Sequence, residues 1–446
     1  MVAYGMIGAS LSGVTFMSVP GWVGATQFSY MVVVFGYLAG YAVIATVLLP
    51  LYYRLNLTSI YTYLENRFGW ASYKTGAFYF ILSRAIGASF RLYIVVNVLQ
   101  TFVFDQWGVP FWLTVAVFIF LILIYTYEGG VKTIVWTDTL QTTFMLSALV
   151  LSIILIAGQM HLSFGQVCSS VIHSRYSGMI ITDWNAKNHF LKHFFGGMFI
   201  AIAMTGLDQE MMQKNISVKT LKDAQKNMFT FSFILVLVNF LFLSLGILLY
   251  NYSVAQGIPI PEKTDDLFPV IALEHLGTLS AVFFIIGLIS AAYPSADGAL
   301  TALTSSFCID FLGFNKLQRT EKEKKNIRHV VHISFAVLLL MLIVVFRIIN
   351  DDAVISKLFT IASFTYGPLL GLFSFGLITK KSVNDKLVPL ICLFSPVVYY
   401  LINDRSVAWF GGYHFGFEMI ILNGALTFLG LSLISRKNNI SQIGSS

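Results

Sequence analysis

The chain has 446 residues, of which 57% are hydrophobic and only 11% are charged, and its mean hydropathy is +0.77. Soluble proteins carry about 25% charged residues, so this composition excludes an ordinary water-soluble fold. The net charge of +7 does not indicate nucleic-acid binding, because the Lys and Arg residues lie in short loops between apolar runs.

About a dozen apolar runs predict an all-α polytopic membrane protein. A helix of about 20 apolar residues spans a hydrocarbon core of roughly 30 Å. The strands of a β-barrel would be about ten residues long and alternate in polarity, and these runs do not. The predicted spans are, in chain order, 2–19, 28–53, 74–105, 110–127, 133–158, 190–207, 226–250, 278–308, 326–349, 356–378, 387–404 and 416–435.

The loops between the spans predict the orientation. If residue 1 is cytoplasmic, the cytoplasmic segments hold most of the Lys and Arg residues, Lys214 among them. Such an excess predicts that both termini are cytoplasmic and that the protein lies in the plasma or bacterial inner membrane. The outer segment 251–277 includes a short amphipathic stretch at 265–276, and 436–446 is predicted to be a cytoplasmic tail.

Two of the predicted spans look broken. The first concentrates Gly, Ser and Thr residues over 7–21, and the sixth contains the sequence MTGLDQ at 204–209. Backbone groups cannot stay unpaired in lipid, so a broken helix is expected to line a cavity. Two breaks that are five helices apart favour an inverted-repeat transporter with its binding site at the breaks. Close helix packing through small residues is the alternative.

Two aspartates are predicted to lie at membrane depth. Asp138 lies one turn inside the fifth span, and Asp297 follows Pro294 in the eighth. Proline lacks an N–H group, so carbonyls near Ser290 and Ala291 should be free for another partner. Carboxylate, carbonyl and hydroxyl oxygens together suit a monovalent cation. The alternative is that each aspartate is paired only structurally, for example with an arginine.

Arg84 and Arg91 lie seven residues apart in the third span and therefore share one face of its helix. They should face the helix bundle, because exposure to lipid would cost about 2.5–3.5 kcal/mol each. They can pair with the carboxylates or bind an anionic substrate, and pairing is the favoured interpretation. The sequence contains no convincing catalytic triad, Cys–His pair or phosphate-binding loop, so we expect no enzyme.

Five stretches together resemble the sodium:solute symporter family, which includes bacterial galactose, proline and sialic acid symporters. They are 8–21, 128–141, 208–214, 287–310 and 364–373, in the order of the family. The resemblance implies a leucine-transporter-like fold, a five-plus-five inverted repeat with two added helices. Its parts would be 1–158 (first repeat), 190–378 (second repeat) and 387–435 (the added pair). Family members usually begin with one more helix than this chain has.

The resemblance also implies a sodium site between the first and eighth spans. The ligands that carry over are three carbonyls and one hydroxyl, those of Gly8, Leu11, Ala292 and Ser295. The family's second hydroxyl position holds Ala296 here, so Asp297 is expected to complete the site, unless the coupling ion is a proton. A second ion site of some members uses the fifth-helix aspartate, matched by Asp138. Its serine positions read Gly298 and Ala299.

The substrate residues that the resemblance implies are Ser12 and Thr15. The third-helix Arg of sialic acid symporters does not align cleanly with this sequence, but Arg84 and Arg91 lie nearby, and we take them and Tyr366 as further substrate candidates. The galactose-type side chains are missing, because Thr15 stands where a Gln would be and Ala201 where an Asn would be. The implied function is sodium-coupled symport of a small organic solute by alternating access, with a sugar or a sugar acid such as sialic acid as first choice. A proton-coupled or other-solute carrier of the same fold and a non-transporting membrane sensor are the alternatives. Na⁺ is the expected coupling ion, and the expected partners are the solute and the lipid bilayer.

Overall fold

The computed structural model describes residues 6–8, 10–57, 59–126, 131–314, 318–349 and 354–436, without the side chains of Tyr125 and 131–136. The glycine pair at 129–130 and most of the predicted tail therefore lie outside the described residues.

The described ranges are helical almost throughout. The α-helices are α1 (Gly13–Thr26), α2 (Tyr30–Val43), α3 (Leu49–Leu55), α4 (Thr62–Arg67), α5 (Trp70–Leu99), α6 (Phe111–Thr126), α7 (Val131–Gln159), α8 (Phe164–Ile172), α9 (Phe190–Ala201), α10 (Gln209–Ile216), α11 (Leu221–Gln256), α12 (Leu267–Val270), α13 (Thr278–Ser306), α14 (Glu321–Ile349), α15 (Val354–Ile378), α16 (Val388–Trp409) and α17 (Met419–Leu433). Two short strands, β1 (Ser382–Val383) and β2 (Ser435–Arg436), pair antiparallel.

By length and composition, eight helical stretches of the described chain can cross a membrane, and a bent pair adds a ninth. Two shorter apolar helices, Phe111–Ile124 and Met419–Leu433, accompany them. The stretch Gly13–Leu55 has 43 residues, about 65 Å of helix, and its backbone leaves the helical conformation at Gln27 (φ 55°), so we count it as two crossings. The prediction of an all-α polytopic membrane protein is confirmed.

Both predicted breaks are present. Ser12 has an extended backbone (φ −106°, ψ −179°) and caps α1 by accepting a hydrogen bond from the Val14 N–H at 3.3 Å. The stretch Phe190–Gly206 is bent by 69° against α10, which Asp208 caps by accepting from the Met211 N–H at 3.1 Å. Ser and Asp are favoured N-cap residues because their oxygens satisfy free N–H groups. In contrast, α13 continues as one helix through Pro294.

Helices α2 and α9 touch backbone to backbone. A Cβ atom added at Gly36 would lie 2.1 Å from the carbonyl oxygen of Phe194, and one at Gly197 would lie 2.2 Å from that of Val33. No side chain fits at either position without separating the helices. The second broken span is thereby fixed firmly against α2.

The segment before α13 is helical where the sequence predicted an amphipathic stretch. It runs through a 3₁₀ turn at Thr264–Asp266, α12 and a π-helical turn at Ile271–His275. Its Asp265 is buried and accepts a hydrogen bond from the backbone N–H of Val354, the first residue of α15, at 2.9 Å. This contact joins the segment to the beginning of α15.

Candidate functional site

A cavity of about 90 Å³ lies beside the two breaks and is partly open to solvent. Its walls include Ser12 and Thr15 from the first break and Met204 and Thr205 from the second. The structure therefore brings the two predicted breaks together around one cavity.

One wall of the cavity is formed by three tyrosines of α2 that the sequence reasoning missed. Tyr30 and Tyr37 lie within hydrogen-bond distance of each other, 3.1 Å between their hydroxyl oxygens, and Tyr41 hydrogen-bonds Thr205. Their spacing of seven and four residues places all three hydroxyls on one helix face. That spacing was the available signal, and it went unused because the second span looked like an ordinary apolar run.

The two arginines of α5 both line the cavity, but their surroundings differ. The guanidinium of Arg84 donates a hydrogen bond to Glu210 and lies 3.7 Å from the Asp208 carboxylate. Among the described residues, no carboxylate lies within ion-pair distance of Arg91, and its buried Nε has no hydrogen-bond partner. The prediction that arginines pair with carboxylates thus holds for Arg84, whereas Arg91 keeps its charge available in the cavity.

Asp138 is paired with a lysine and not with an arginine. The Lys214 ammonium lies 3.1 Å from Asp138 Oδ2 and 3.2 Å from Glu210 Oε1. Its side chain is only 10% exposed. The sequence predicts Lys214 in a loop between spans, and this is wrong, because the residue lies in α10 and its ammonium contacts Asp138 and Glu210. The side of the membrane on which α10 lies stays a prediction.

The predicted sodium ligands fall on two segments. On α13, Ser295 and Asp297 are both buried, and the Ser295 hydroxyl has no hydrogen-bond partner among the described residues. One Asp297 carboxylate oxygen accepts a hydrogen bond from the Gly298 N–H at 2.5 Å. A buried hydroxyl without a described partner is a ligand that fits a monovalent cation, whereas Asp297, two residues further along the same helix, lies on a different face.

The first segment supplies the other predicted ligands. Leu11 lies at the break and lines the cavity. A Cβ added at Gly8 would lie 2.3 Å from the Thr142 hydroxyl, so Gly8 packs closely on α7. Thr142 in turn donates to the Asp138 carbonyl at 2.7 Å. Ala292 is buried in α13 on the N-terminal side of Ser295.

Tyr366 lies beside the cavity and not among the residues found to line it. It borders a smaller adjoining cavity together with Arg84 and Arg91, and its hydroxyl donates to Asp208 Oδ2 at 3.4 Å. The described geometry therefore gives Tyr366 a structural partner, and its contact with a solute stays a prediction.

The model of the sodium:solute symporter family matches residues 1–386. The chain belongs to this family. Similar proteins include the sodium/sialic acid symporter NanT of Aliivibrio fischeri, 21% identical over 95% of this chain and 84% of that protein. The sodium/sialic acid symporter SiaT of Proteus mirabilis is 22% identical over 84% of this chain and 75% of its own length. The mouse sodium-coupled monocarboxylate transporter 1 is 25% identical over 84% of this chain and 62% of its own length.

Solved structures show the same fold for this symporter. A Na⁺-coupled sialic acid symporter in a substrate-bound outward-open state superposes with a TM-score of 0.81 at 19% identity, over 98% of this chain and 90% of the other. The inward-facing conformation of Mhp1 superposes with a TM-score of 0.56 at 16% identity, over 96% of this chain and 88% of the other. At these identities the likeness shows the fold alone.

Family membership confirms the predicted class of activity. The symporter is a multi-pass membrane transporter that couples the movement of a small solute to sodium, and it is not an enzyme. Family membership does not identify the residues that bind the ion and the solute. Those residues have to be inferred from the geometry of the cavity.

Proposed function

We propose that this symporter carries an anionic sugar acid of the sialic acid class together with sodium. The observation that carries the proposal is Arg91, a half-buried cation that lines the cavity without an acidic partner among the described residues. Guanidinium groups bind carboxylates through two parallel hydrogen bonds. A solute carboxylate would therefore satisfy a charge that the protein itself leaves unpaired.

The rest of the cavity suits a solute with many hydroxyls. Ser12, Thr15, Tyr37 and Thr205 supply hydroxyl groups that both donate and accept hydrogen bonds. The sialic acid symporters among the similar proteins support this choice. A neutral sugar would leave Arg91 unpaired, which argues against a galactose-like solute.

For the ion we propose the site predicted from the sequence, with the carbonyls of Gly8, Leu11 and Ala292, the Ser295 hydroxyl and the Asp297 carboxylate. Bound sodium would hold the first broken segment against α13 and so favour the outward-open state. The membrane potential would assist entry by about 2.3 kcal/mol per charge and 100 mV.

The motion we propose is alternating access of two inverted repeats, 1–158 and 190–378, with 387–435 outside the core. The division into two repeats is supported by the two breaks, which occupy corresponding positions in the two halves of the chain. We further propose that both termini are cytoplasmic and that the protein lies in the cell membrane.

Uptake into proteoliposomes tests the function. We expect radiolabelled N-acetylneuraminate to accumulate with an inward sodium gradient and to stop accumulating when potassium replaces sodium. Neutral N-acetylmannosamine should not compete, because it lacks the carboxylate. Uptake that persists unchanged without a sodium gradient would refute the coupling to sodium. Uptake of lactate but not N-acetylneuraminate would refute a sugar acid as the solute and indicate a small monocarboxylate instead.

An arginine pair tests the role of Arg91. Arg91→Gln should raise the KM for N-acetylneuraminate at least tenfold, which corresponds to about 1.4 kcal/mol. Arg405→Gln removes the same charge from an exposed position and should leave the KM unchanged. An unaltered KM in Arg91→Gln would remove Arg91 from the substrate site.

A further inference from the structure

A chain of buried ionic groups runs from α5 through α10 to α7. Arg84 donates to Glu210, Glu210 lies 3.2 Å from the Lys214 ammonium, and Lys214 lies 3.1 Å from Asp138. The side chains of Asp138, Glu210 and Arg84 are 1%, 6% and 6% exposed. Buried ions are costly and persist only with close partners, so Lys214 is the group that makes the burial of Asp138 tolerable.

The two carboxylates share this one ammonium. Asp138 Oδ1 is buried and has no hydrogen-bond partner among the described residues, and the described contact of Glu210 Oε1 is its 3.2 Å ion pair with Lys214. A carboxylate has about four lone-pair sites, so both groups can accept further contacts. Between Asp138 and Glu210 there is consequently one cation position, with oxygen on both sides, and the Lys214 ammonium fills it.

The neighbouring part of α13 cannot supply the neutral oxygens that a free ion would use. Gly298 and Ala299 carry no hydroxyl. A Cβ added at Gly298 would lie 2.2 Å from Glu210 Oε1, so the Glu210 carboxylate fills the space beside this glycine. Asp297 lies close enough to interact electrostatically with Lys214. The described groups that act on the Asp138 carboxylate are therefore charged ones, Lys214 and Glu210.

We propose that the Lys214 ammonium is a tethered cation that occupies the place of a second coupling ion between Asp138 and Glu210. Because it is covalently attached, it neutralises the carboxylates in every state without being transported. The sodium stoichiometry would then be one lower than that of a carrier with the same aspartate and no lysine. This inference rests on the proposed sodium site at Ser295 and Asp297 for the remaining ion.

Equilibrium binding of ²²Na⁺ to the purified full-length protein tests the inference. Wild type should bind one sodium ion per molecule with simple saturation. Lys214→Ala should bind one more, with a sigmoidal sodium dependence, because Asp138 and Glu210 then need an external cation. Lys214→Arg keeps the charge and should bind the wild-type number.

The controls separate charge from position. Lys219→Ala removes an exposed lysine five residues away and should change nothing. The double variant Lys214→Ala with Asp138→Asn should lose the additional ion again. If Lys214→Ala does not fold, Lys214→Met removes the ammonium and keeps an apolar side chain of similar length, and it should also gain an ion.

The decisive quantity is the difference between variant and wild type. A folded Lys214→Ala and Lys214→Met that bind the same number of ions as wild type would overturn the inference. So would a wild type that already binds two ions. A wild type that binds none while Lys214→Ala binds one would instead refute the proposed Ser295–Asp297 site and keep the tethered cation.

Discussion

The phenol of Tyr366 donates a hydrogen bond to the Asp208 carboxylate across 3.4 Å and so joins α15 to the start of α10. Asp208 also caps α10 and lies 3.7 Å from Arg84. One fully buried carboxylate thus connects a cap, a phenol and a guanidinium. The second of the two breaks is held by these contacts.

Tyr366→Phe should reduce stability and leave solute binding nearly unchanged. The variant removes one hydrogen bond, which contributes about 1 kcal/mol, while Asp208 keeps its other two partners. Thermal unfolding and the KM of uptake measure the two effects. A tenfold rise in KM would indicate that Tyr366 contacts the solute directly.

Arg84→Gln should destabilise the protein far more than Arg91→Gln does. The substitution leaves the Glu210 carboxylate without the guanidinium, and breaking a buried ion pair costs roughly 3–5 kcal/mol. Adding Glu210→Gln should recover part of this loss, because the unpaired charge is then gone. The double-mutant cycle would contradict the pairing if the two effects were simply additive.

Ser295→Ala should weaken sodium binding without weakening the fold. The hydroxyl makes no hydrogen bond within the described protein, so its removal leaves no partner unsatisfied. A polar group facing a charge contributes about 1.5 kcal/mol or more, so we expect a loss of about tenfold in apparent sodium affinity. The sodium dependence of uptake measures this.

Ser280→Ala is the matched control. Its hydroxyl is also buried without a hydrogen-bond partner among the residues that the structure describes, in the same helix but about 22 Å away. Sodium activation should stay at the wild-type value. Equal effects of the two substitutions would show that neither serine identifies the ion site.

Asp265 should make stability depend on pH. Burial raises the pKa of this carboxyl to about 6 in the folded protein, although the hydrogen bond from Val354 opposes the rise. A raised folded-state pKa means that the protonated form stabilises the fold below the unfolded pKa and that this stabilisation disappears as the pH rises through 6. Between pH 5 and pH 8 the loss is about 1.4 kcal/mol.

The matching variant is Asp265→Asn, whose amide oxygen can still accept from Val354. Its melting temperature should vary less between pH 5 and pH 8 than that of wild type, and it should exceed the wild-type value at pH 8. Identical pH profiles for the two proteins would show that Asp265 does not titrate in this range.

The fold and the breaks were predictable because they depend on local sequence. Runs of apolar residues determine the spans, and Ser12 and Asp208 are recognisable cap residues where each helix restarts. The ionic chain was not predictable in the same way. Lys214 and Asp138 lie 76 residues apart on different helices, and no local pattern in the sequence indicates that they meet.

The sequence predicted where the two arginines of α5 lie, but it did not predict which residues they contact. The spacing of Arg84 and Arg91 placed both on one inward face, as the structure confirms. Which of them meets Glu210 depends on the depth at which α10 begins, and no periodicity in α5 contains that information. The same holds for Tyr41, whose partner Thr205 lies in another helix.

The glycine contact between α2 and α9 has a mechanical consequence. At Gly36 and Gly197 the helix backbones are in direct contact, so the two helices share a close-packed crossing. We therefore expect α2 and α9 to move together as one unit during transport. The segments at Ser12 and Asp208 are then the places where the chain bends during transport. A bulkier residue at Gly197 should separate the two helices and block the transport cycle.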